Sequence, residues 1–310
     1  MSETGSESGS PSRTIAITGA SGLVGTALAE AFAADGVRVL KLVRHPVSKS
    51  KPDEVYWKPS AGEIDVAKLE GVDLVFNLAG KGIADDRWTP AVKKLIIDSR
   101  VNSTRLIAKT IAGLTTKPRA LVSASAIGFY GNRGDAPLDE DSPAGAGFLT
   151  ETCQWWENAN TPAWEAGVRV AQMRIGMVLS PKGGALAKML PMFKLGAGGV
   201  IGSGAQVISW IALPDLVRAL RFVGDVESMH GAINATSPEP VTNREFTKAL
   251  GHQLGRPTLL AVPEFALKMA MGEMSELLLD SARVYPKRLT EAGFNFETPG
   301  LAAALDRVLK

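Results

Sequence analysis

The sequence has few of the residues that would indicate a cross-linked fold or a metal centre. It holds a single cysteine, Cys153, so an intrachain disulfide is excluded. No Cys-x-x-Cys or Cys/His spacing indicates zinc, and the three histidines, His45, His230 and His252, are scattered along the chain. We therefore expect no bound metal.

Excess charge and long apolar runs are also lacking. The formal net charge of the 310 residues is +2, so nothing points to nucleic acid or a membrane surface as a partner. No apolar run approaches the roughly 20 residues that span a bilayer. Residues 1–12 have neither the basic end nor the apolar centre of a secretory signal. We expect a disordered tail there and a cytoplasmic location.

Glycine, by contrast, is concentrated in the most informative stretch, TIAITGASGLVG, which runs from Thr14 to Gly25. Its apolar start, residues 14–18, predicts a buried strand, and helix-spaced apolar residues from Leu23 to Phe32 predict a helix. A Gly-rich turn between them lets a pyrophosphate approach bare N–H groups at a helix N-terminus. We interpret this stretch as the front of a nucleotide-binding βαβ unit, the alternative being a turn that binds nothing.

The end of the second predicted strand, residues 37–43, bears on the choice of cofactor. An NAD-preferring unit usually places Asp or Glu about 20 residues after the Gly-rich turn. Here the strand leads into Arg44, His45 and Pro46, without a carboxylate. A guanidinium matches phosphate geometry, so Arg44 is suited to a 2′-phosphate, unless it is a solvated surface arginine. The pattern favours NADP(H).

Further apolar runs at residues 72–78, 119–125 and 168–175 predict strands that alternate with helices. This alternation predicts a Rossmann-type doubly wound parallel α/β sheet over residues 13–182. The character changes after Gly183, and residues 183–310 are expected to form a smaller, mainly helical C-terminal lobe. Residues around 205–235 are expected to return to the sheet, and residues 240–310 to form a helical module.

An apolar stripe from Phe265 to Leu279 lies within that module. Its simplest interpretation is core packing. A substrate lid or a subunit contact, and with it a homodimer, are the alternatives.

Four motifs in this order identify a resemblance: TGASGLVG at 18–25, NLAG at 77–80, SASAIGFYG at 123–131 and SWIALPDL at 209–216. Together they resemble the extended short-chain dehydrogenases/reductases, whose fold is that of nucleotide-sugar epimerases and dehydratases. More narrowly, the chain resembles an atypical branch known simply as the epimerase family. The resemblance covers nearly everything after residue 13.

The resemblance implies an NADP(H) site made of residues from several elements. The diphosphate would be met by Gly19, Ser21, Gly22, Leu23, Val24 and Gly25, and the 2′-phosphate by Arg44. Leu78, Ala79 and Gly80 would flank the adenosine side, and Ser123, Ala124, Ser125, Ile175 and Val178 the nicotinamide. Arg100 would meet a cofactor phosphate or a substrate anion, or else form an ordinary ion pair.

The Tyr-x-x-x-Lys pair that usually transfers the proton in this superfamily is missing. Its expected window starts at Phe148 and reads FLTETCQWWE, which offers neither the phenol nor the lysine. Ser125 is a candidate for the serine that polarises the substrate oxygen. Tyr130 is a second candidate near the site, although Gly134 stands where its lysine partner would be.

Two further polar residues each have two interpretations. Glu151 is either a general base or a surface carboxylate, and Cys153 is either a reactive thiol or a packed apolar residue. The sequence thus predicts an NADP(H)-dependent oxidoreductase or epimerase-like enzyme with unusual proton-transfer residues, acting on an unknown small molecule. The alternative is a non-catalytic dinucleotide-binding sensor or scaffold.

Overall fold

The computed structural model describes residues 13–310, and the expected tail lies outside them. The strands are β1 (Thr14–Thr18), β2 (Arg38–Val43), β3 (Glu54–Lys58), β4 (Glu63–Ile64), β5 (Leu74–Asn77), β6 (Ala120–Ala126), β7 (Pro137–Leu138), β8 (Arg169–Ile175), β9 (Met177–Leu179), β10 (Gly199–Ile201), β11 (Val207–Ile208), β12 (Trp210–Ala212), β13 (Gly231–Ala235), β14 (Val241–Thr242), β15 (Leu260–Val262) and β16 (Arg283–Val284). The α-helices are α1 (Leu23–Ala34), α2 (Pro90–Ala112), α3 (Phe148–Asn158), α4 (Thr161–Glu165), α5 (Gly184–Lys194), α6 (Leu213–Asp225), α7 (Asn243–Leu254), α8 (Glu264–Met271), α9 (Glu276–Leu279), α10 (Lys287–Glu291) and α11 (Leu301–Leu309). Short 3-10 helices cover Val66–Leu69, Ile127–Tyr130 and Gly272–Ser275.

The central sheet has eight strands in the order β13-β8-β6-β5-β1-β2-β3-β4. Neighbours pair in parallel, except for the antiparallel pair β3–β4 at one edge. The chain builds outward from β1 to β3 on one side and from β5 to β13 on the other. Strand order therefore reverses between β1 and β5, and ligands of such sheets bind at the carboxyl ends of the strands there. The predicted doubly wound parallel sheet is confirmed.

The middle strands are buried on both faces because helices cover both sides of the sheet. On one face, Leu28 and Phe32 of α1 and Leu220 of α6 pack into a single apolar cluster with β1 and β5. On the other face, Ile107 of α2 and Ala163 of α4 belong to a second cluster. Parallel strands covered in this way become nearly continuous apolar runs, which explains the strand pattern in the sequence.

The chain after residue 205 contributes to this sheet and also builds a second core. Strand β13 is the edge strand, in parallel register with β8 from Gly231↔Ala171 to Ala235↔Ile175. A separate cluster, which includes Trp210 and Phe246, packs β12 and α7 against α5 and α11. The C-terminal region is thus mainly helical, and its strands are two or three residues long apart from β13.

Helix α8 departs from the core-packing interpretation of the apolar stripe. None of its residues is buried, and Phe265 and Met269 are 67% and 76% exposed. This interpretation is therefore wrong for the first part of the stripe, because α8 packs mainly on the 3-10 helix that follows it. Within residues 13–310, no helix combines the length and apolar character needed to cross a membrane.

Candidate functional site

The Gly-rich turn lies at the point where strand order reverses, and its shape requires glycine. Gly19 has φ +68°, and a Cβ there would lie 2.7 Å from the Leu78 carbonyl oxygen. A Cβ on Gly25 would lie 2.2 Å from the Gly19 carbonyl oxygen, so α1 could not pack so close to the turn with any other residue. Gly22 precedes α1, which has no side-chain cap and no acidic residue in its first turn. Its first N–H groups are thus suited to an anion.

A second helix begins beside this turn. A Cβ placed on Gly183, which precedes α5, would lie 3.5 Å from a methyl carbon of Leu23, the first residue of α1. The start of α5 also has no side-chain cap and no acidic residue. Both helix N-termini therefore favour negative charge in the same crevice. Sequence reasoning assigned α5 to the C-terminal lobe and missed this contact, for which the Gly183-Gly184 pair was the available signal.

A buried hydrogen-bond network holds the strand ends around the crevice. The Thr18 hydroxyl donates to the Asn77 side-chain oxygen over 2.8 Å. It accepts from the backbone N–H groups of Leu78 and Ala79, at 3.0 and 3.1 Å. The Asn77 amide in turn donates to the hydroxyls of Thr104 (2.7 Å) and Ser123 (3.1 Å). The network fixes β1, β5 and β6 relative to α2. It therefore presets the backbone around Leu78, Ala79 and Gly80.

Arg44 lies directly after β2, on the far side of the Gly-rich turn from β5. Its side chain is exposed. The nearby cations Arg38 and Lys51 pair with Asp53 and Glu54, whereas none of the ion pairs found among residues 13–310 includes Arg44. The guanidinium is thus available to an anion at the end of β2, where the sequence placed it.

Arg100 of α2 lies on the other side of the turn. Its guanidinium carbon would be 3.4 Å from a Cβ on Gly80 and lies 5.0 Å from the centre of the Trp156 ring. No carboxylate in residues 13–310 pairs with it, so the ion-pair alternative is not found there. Burial lowers the pKa of Arg100 to about 10, which still leaves it charged at neutral pH. The charge can therefore serve an anionic ligand.

Ser125, near the end of β6, is engaged by a buried ion pair. Its hydroxyl donates to Glu157 Oε1 over 2.7 Å. Arg174 of β8 binds the same carboxylate twice, through Nε at 2.8 Å and Nη2 at 2.9 Å. All three residues are buried. The serine is thus held in place by an acceptor on α3 that the sequence analysis did not identify.

Tyr130 is buried, and its hydroxyl is bound by two other buried side chains. Its side chain has no exposed surface, and its hydroxyl accepts from Arg174 Nη1 at 3.1 Å and donates to the Asn234 side-chain oxygen at 2.8 Å. Burial raises the pKa of Tyr130, so the phenol keeps its proton more firmly. Tyr130, in the 3-10 helix that follows β6, is thereby connected to β8 and β13, and proton transfer by this tyrosine stays a hypothesis.

The other two polar candidates take the simpler of their alternatives. Glu151 is exposed on the first turn of α3. Cys153 is buried, with its thiol 3.6 Å from the Ala126 carbonyl oxygen, and burial raises its pKa to about 12. A thiol with that pKa is protonated and unreactive at neutral pH.

The remaining residues expected at the cofactor fall into two groups. Ser21 is exposed, while Leu23, Val24, Ile175 and Val178 are partly buried around the crevice. Ser123 and Ala124 are buried, and the Ser123 hydroxyl is bound by Asn77. Ser125, which is also buried, carries the hydroxyl nearest the carboxyl end of β6.

The fold, the glycine turn, and Arg44 and Arg100, which have no carboxylate partner among residues 13–310, define a dinucleotide-binding α/β protein. Residues 15–234 match the profile of the NAD dependent epimerase/dehydratase family. Residues 262–308 match a domain of unknown function, DUF1731. The chain belongs to the NAD dependent epimerase/dehydratase family, in agreement with the resemblance drawn from its motifs.

Individual relatives match over nearly the whole chain. "Epimerase family protein Mb2239" of Mycobacterium bovis is 44% identical over 94% of this chain and 96% of its own length. The crystal structure of human epimerase family protein SDR39U1 (isoform 2) with NADPH is 31% identical, with a TM-score of 0.87 over 95% of this chain and 98% of that chain. The nucleoside-diphosphate sugar epimerase from Corynebacterium glutamicum is 36% identical, with a TM-score of 0.77 over 97% of this chain and 58% of that chain.

Proposed function

We propose that this protein binds NADP(H) across the point where strand order reverses, with the 2′-phosphate on Arg44. The observation that carries the proposal is the exposed Arg44 at the end of β2, where an NAD-preferring site would have a carboxylate. The glycine turn supplies the space and the N–H groups for a diphosphate. The human relative solved with NADPH supports the same cofactor.

The proposed reaction is a hydride transfer to or from a small molecule, in an oxidoreductase or epimerase-like protein. The half-buried ends of β6 and β8, together with Arg100, offer a place for a substrate next to the cofactor. The nucleoside-diphosphate sugar epimerase among the similar structures makes nucleotide sugars the first compounds to test.

A non-catalytic sensor or scaffold is the second candidate, and one observation favours it. The hydroxyl protons of Ser125 and Tyr130 are both donated to protein partners, Glu157 and Asn234. Neither hydroxyl is therefore placed as the general acid that carbonyl reduction requires. The two candidates share the cofactor and differ only in turnover.

The cofactor proposal is tested by measuring dissociation constants for NADPH and NADH in three proteins: wild type, Arg44→Ala and Arg38→Ala. Arg38 is a matched control because it is the first residue of β2, the strand that Arg44 follows, but it pairs with Asp53. Loss of a charge-assisted phosphate contact should weaken NADPH binding about 10- to 100-fold in Arg44→Ala and leave NADH binding unchanged. An unchanged NADPH/NADH preference would refute the role of Arg44.

Turnover is tested separately with bound NADPH. Absorbance of the reduced nicotinamide is followed across a panel of carbonyl compounds, and NMR follows the conversion of nucleotide sugars incubated with NADP⁺ into their epimers. Oxidation of NADPH or the appearance of an epimer supports the enzyme. Tight NADPH binding with neither signal across the panel would favour the sensor or scaffold.

A further inference from the structure

The hydrogen-bond direction at Ser125 is fixed by its surroundings. Glu157 receives two bonds from Arg174 and a third from Ser125, at 2.7 to 2.9 Å. The side chains of Arg174 and Glu157 are only 5% and 9% exposed, so water does not replace these contacts. An ionised carboxylate can only accept hydrogen bonds. The single proton of the Ser125 hydroxyl must therefore point at Glu157.

Further contacts of Arg174 fix the direction of the hydrogen bond from Ser125 to Glu157. Its third contact, from Nη1 to the Tyr130 hydroxyl at 3.1 Å, directs the Tyr130 proton to Asn234. The guanidinium also lies 3.4 Å from the centre of the Phe129 ring. Arg174 and Ser125 are direct partners in the register of β8 and β6, which sets their separation. Glu157 and Arg174 are thus positioning residues for Ser125.

The consequence concerns what Ser125 can bind. A hydroxyl offers one donor and two acceptor sites, and the donor of Ser125 is already used. Toward any ligand, Ser125 can therefore act only as an acceptor. It cannot donate to a carbonyl oxygen, which is the role the sequence analysis considered for it. Its partner must carry an N–H or O–H group.

The proposed cofactor site supplies such a group. If Arg44 at the end of β2 holds the adenosine half, the other half of the dinucleotide lies over the carboxyl ends of β5, β6 and β8. Ser125 is the second-last residue of β6. The nicotinamide ring carries a carboxamide whose NH₂ group donates two hydrogen bonds.

We infer that Ser125 accepts a hydrogen bond from the nicotinamide carboxamide, and that the Glu157–Arg174 pair orients it as an acceptor. The inference rests on the proposed NADP(H) site and extends it to the nicotinamide end. It gives Ser125 a binding role that holds for the sensor and for the enzyme alike.

The test compares NADPH with its reduced 3-acetylpyridine analogue, in which a methyl group replaces the carboxamide NH₂. Dissociation constants are measured for wild type, Ser125→Ala and Ser123→Ala. Ser123 is a matched control because it lies two residues earlier on the same strand, and its hydroxyl is bound by Asn77. Wild type and Ser123→Ala should favour NADPH about five- to tenfold, the usual worth of one hydrogen bond. In Ser125→Ala this ratio should fall to about one.

Glu157→Met gives a second readout that separates orientation from simple support. Methionine removes the acceptor of the Ser125 proton, so this proton is free to point at the ligand and the ratio should also fall in this variant. A purely structural role of Glu157 would weaken both dinucleotides equally and leave the ratio at its wild-type value, which would overturn the positioning role.

A ratio in Ser125→Ala equal to that of wild type, or a wild-type ratio near one, would overturn the contact with the carboxamide while leaving the NADP(H) site intact. Absence of affinity for both dinucleotides would instead refute the proposed function, and this inference with it.

Discussion

Removing either partner of the buried pair Glu157–Arg174 is expected to lower the free energy of unfolding strongly. Glu157→Gln keeps the shape of the side chain but leaves a buried guanidinium without an opposing charge. Breaking such a pair generally costs about 3–5 kcal/mol. Arg174 would keep its contact with the Phe129 ring and the Tyr130 hydroxyl, which offsets part of the loss. We therefore expect Glu157→Gln to cost about 3 kcal/mol, at the lower end of that range.

Arg174→Met should cost more, about 4–5 kcal/mol, because it leaves the Glu157 carboxylate buried with Ser125 as its remaining side-chain donor. The double variant Glu157→Gln/Arg174→Met removes both charges and should recover at least about 2 kcal/mol relative to the sum of the single losses. This recovery measures the coupling between the two side chains.

The assay is urea unfolding at pH 7, followed by tryptophan fluorescence, for the wild type, the two single variants and the double variant. Asp98→Asn is the control because its ion pair with Lys94 is exposed, and it should cost less than about 1 kcal/mol. Single losses near that of the control, or losses that simply add in the double variant, would refute the assignment of a buried, coupled pair.

Three further outcomes are expected. Gly25→Ala should destabilise the protein by about 1–3 kcal/mol and weaken NADPH binding, because the added Cβ would lie 2.2 Å from the Gly19 carbonyl oxygen. The control for a thermal-shift assay is Gly113→Ala, whose Cβ would meet nothing closer than 3.6 Å. Equal shifts of the melting temperature in the two variants would contradict the prediction. Burial raises the pKa of Glu140, so the folded state binds this proton more tightly than the unfolded chain does. As pH rises above about 4.3, the wild type should therefore lose stability relative to Glu140→Gln, and a constant gap across urea titrations at pH 4 to 7 would contradict this. Cys153 should react with a thiol reagent at pH 8 only after unfolding, and rapid labelling of the native protein would contradict its burial.

Several local features could be predicted from the sequence because each depends on neighbouring residues. The Gly-rich turn and the apolar strands were expected and are present. Helix α2 begins at Pro90, and the Thr89 hydroxyl accepts from a backbone N–H of the first turn, an arrangement typical of a Thr-Pro pair at a helix N-terminus. The family was predicted from motif order and is confirmed by the comparison with known proteins.

The roles of individual polar side chains could not be predicted in the same way. Ser125 and Tyr130 were chosen because they stand near the end of a strand, yet their partners Glu157 and Asn234 are 32 and 104 residues away. No sequence spacing encodes these contacts. The Ser125 contact depends on the packing of α3 against β6, and the Tyr130 contact depends on the position of β13 beside β8.

The sequence alone determined where a dinucleotide can approach, since bare N–H groups, missing Cβ atoms and a guanidinium after a strand are local properties of the chain. Only the tertiary structure decided which hydroxyls remain available in the crevice. Hydrogen-bond direction depends on every partner that a buried donor meets, and those partners come together only when distant strands and helices pack.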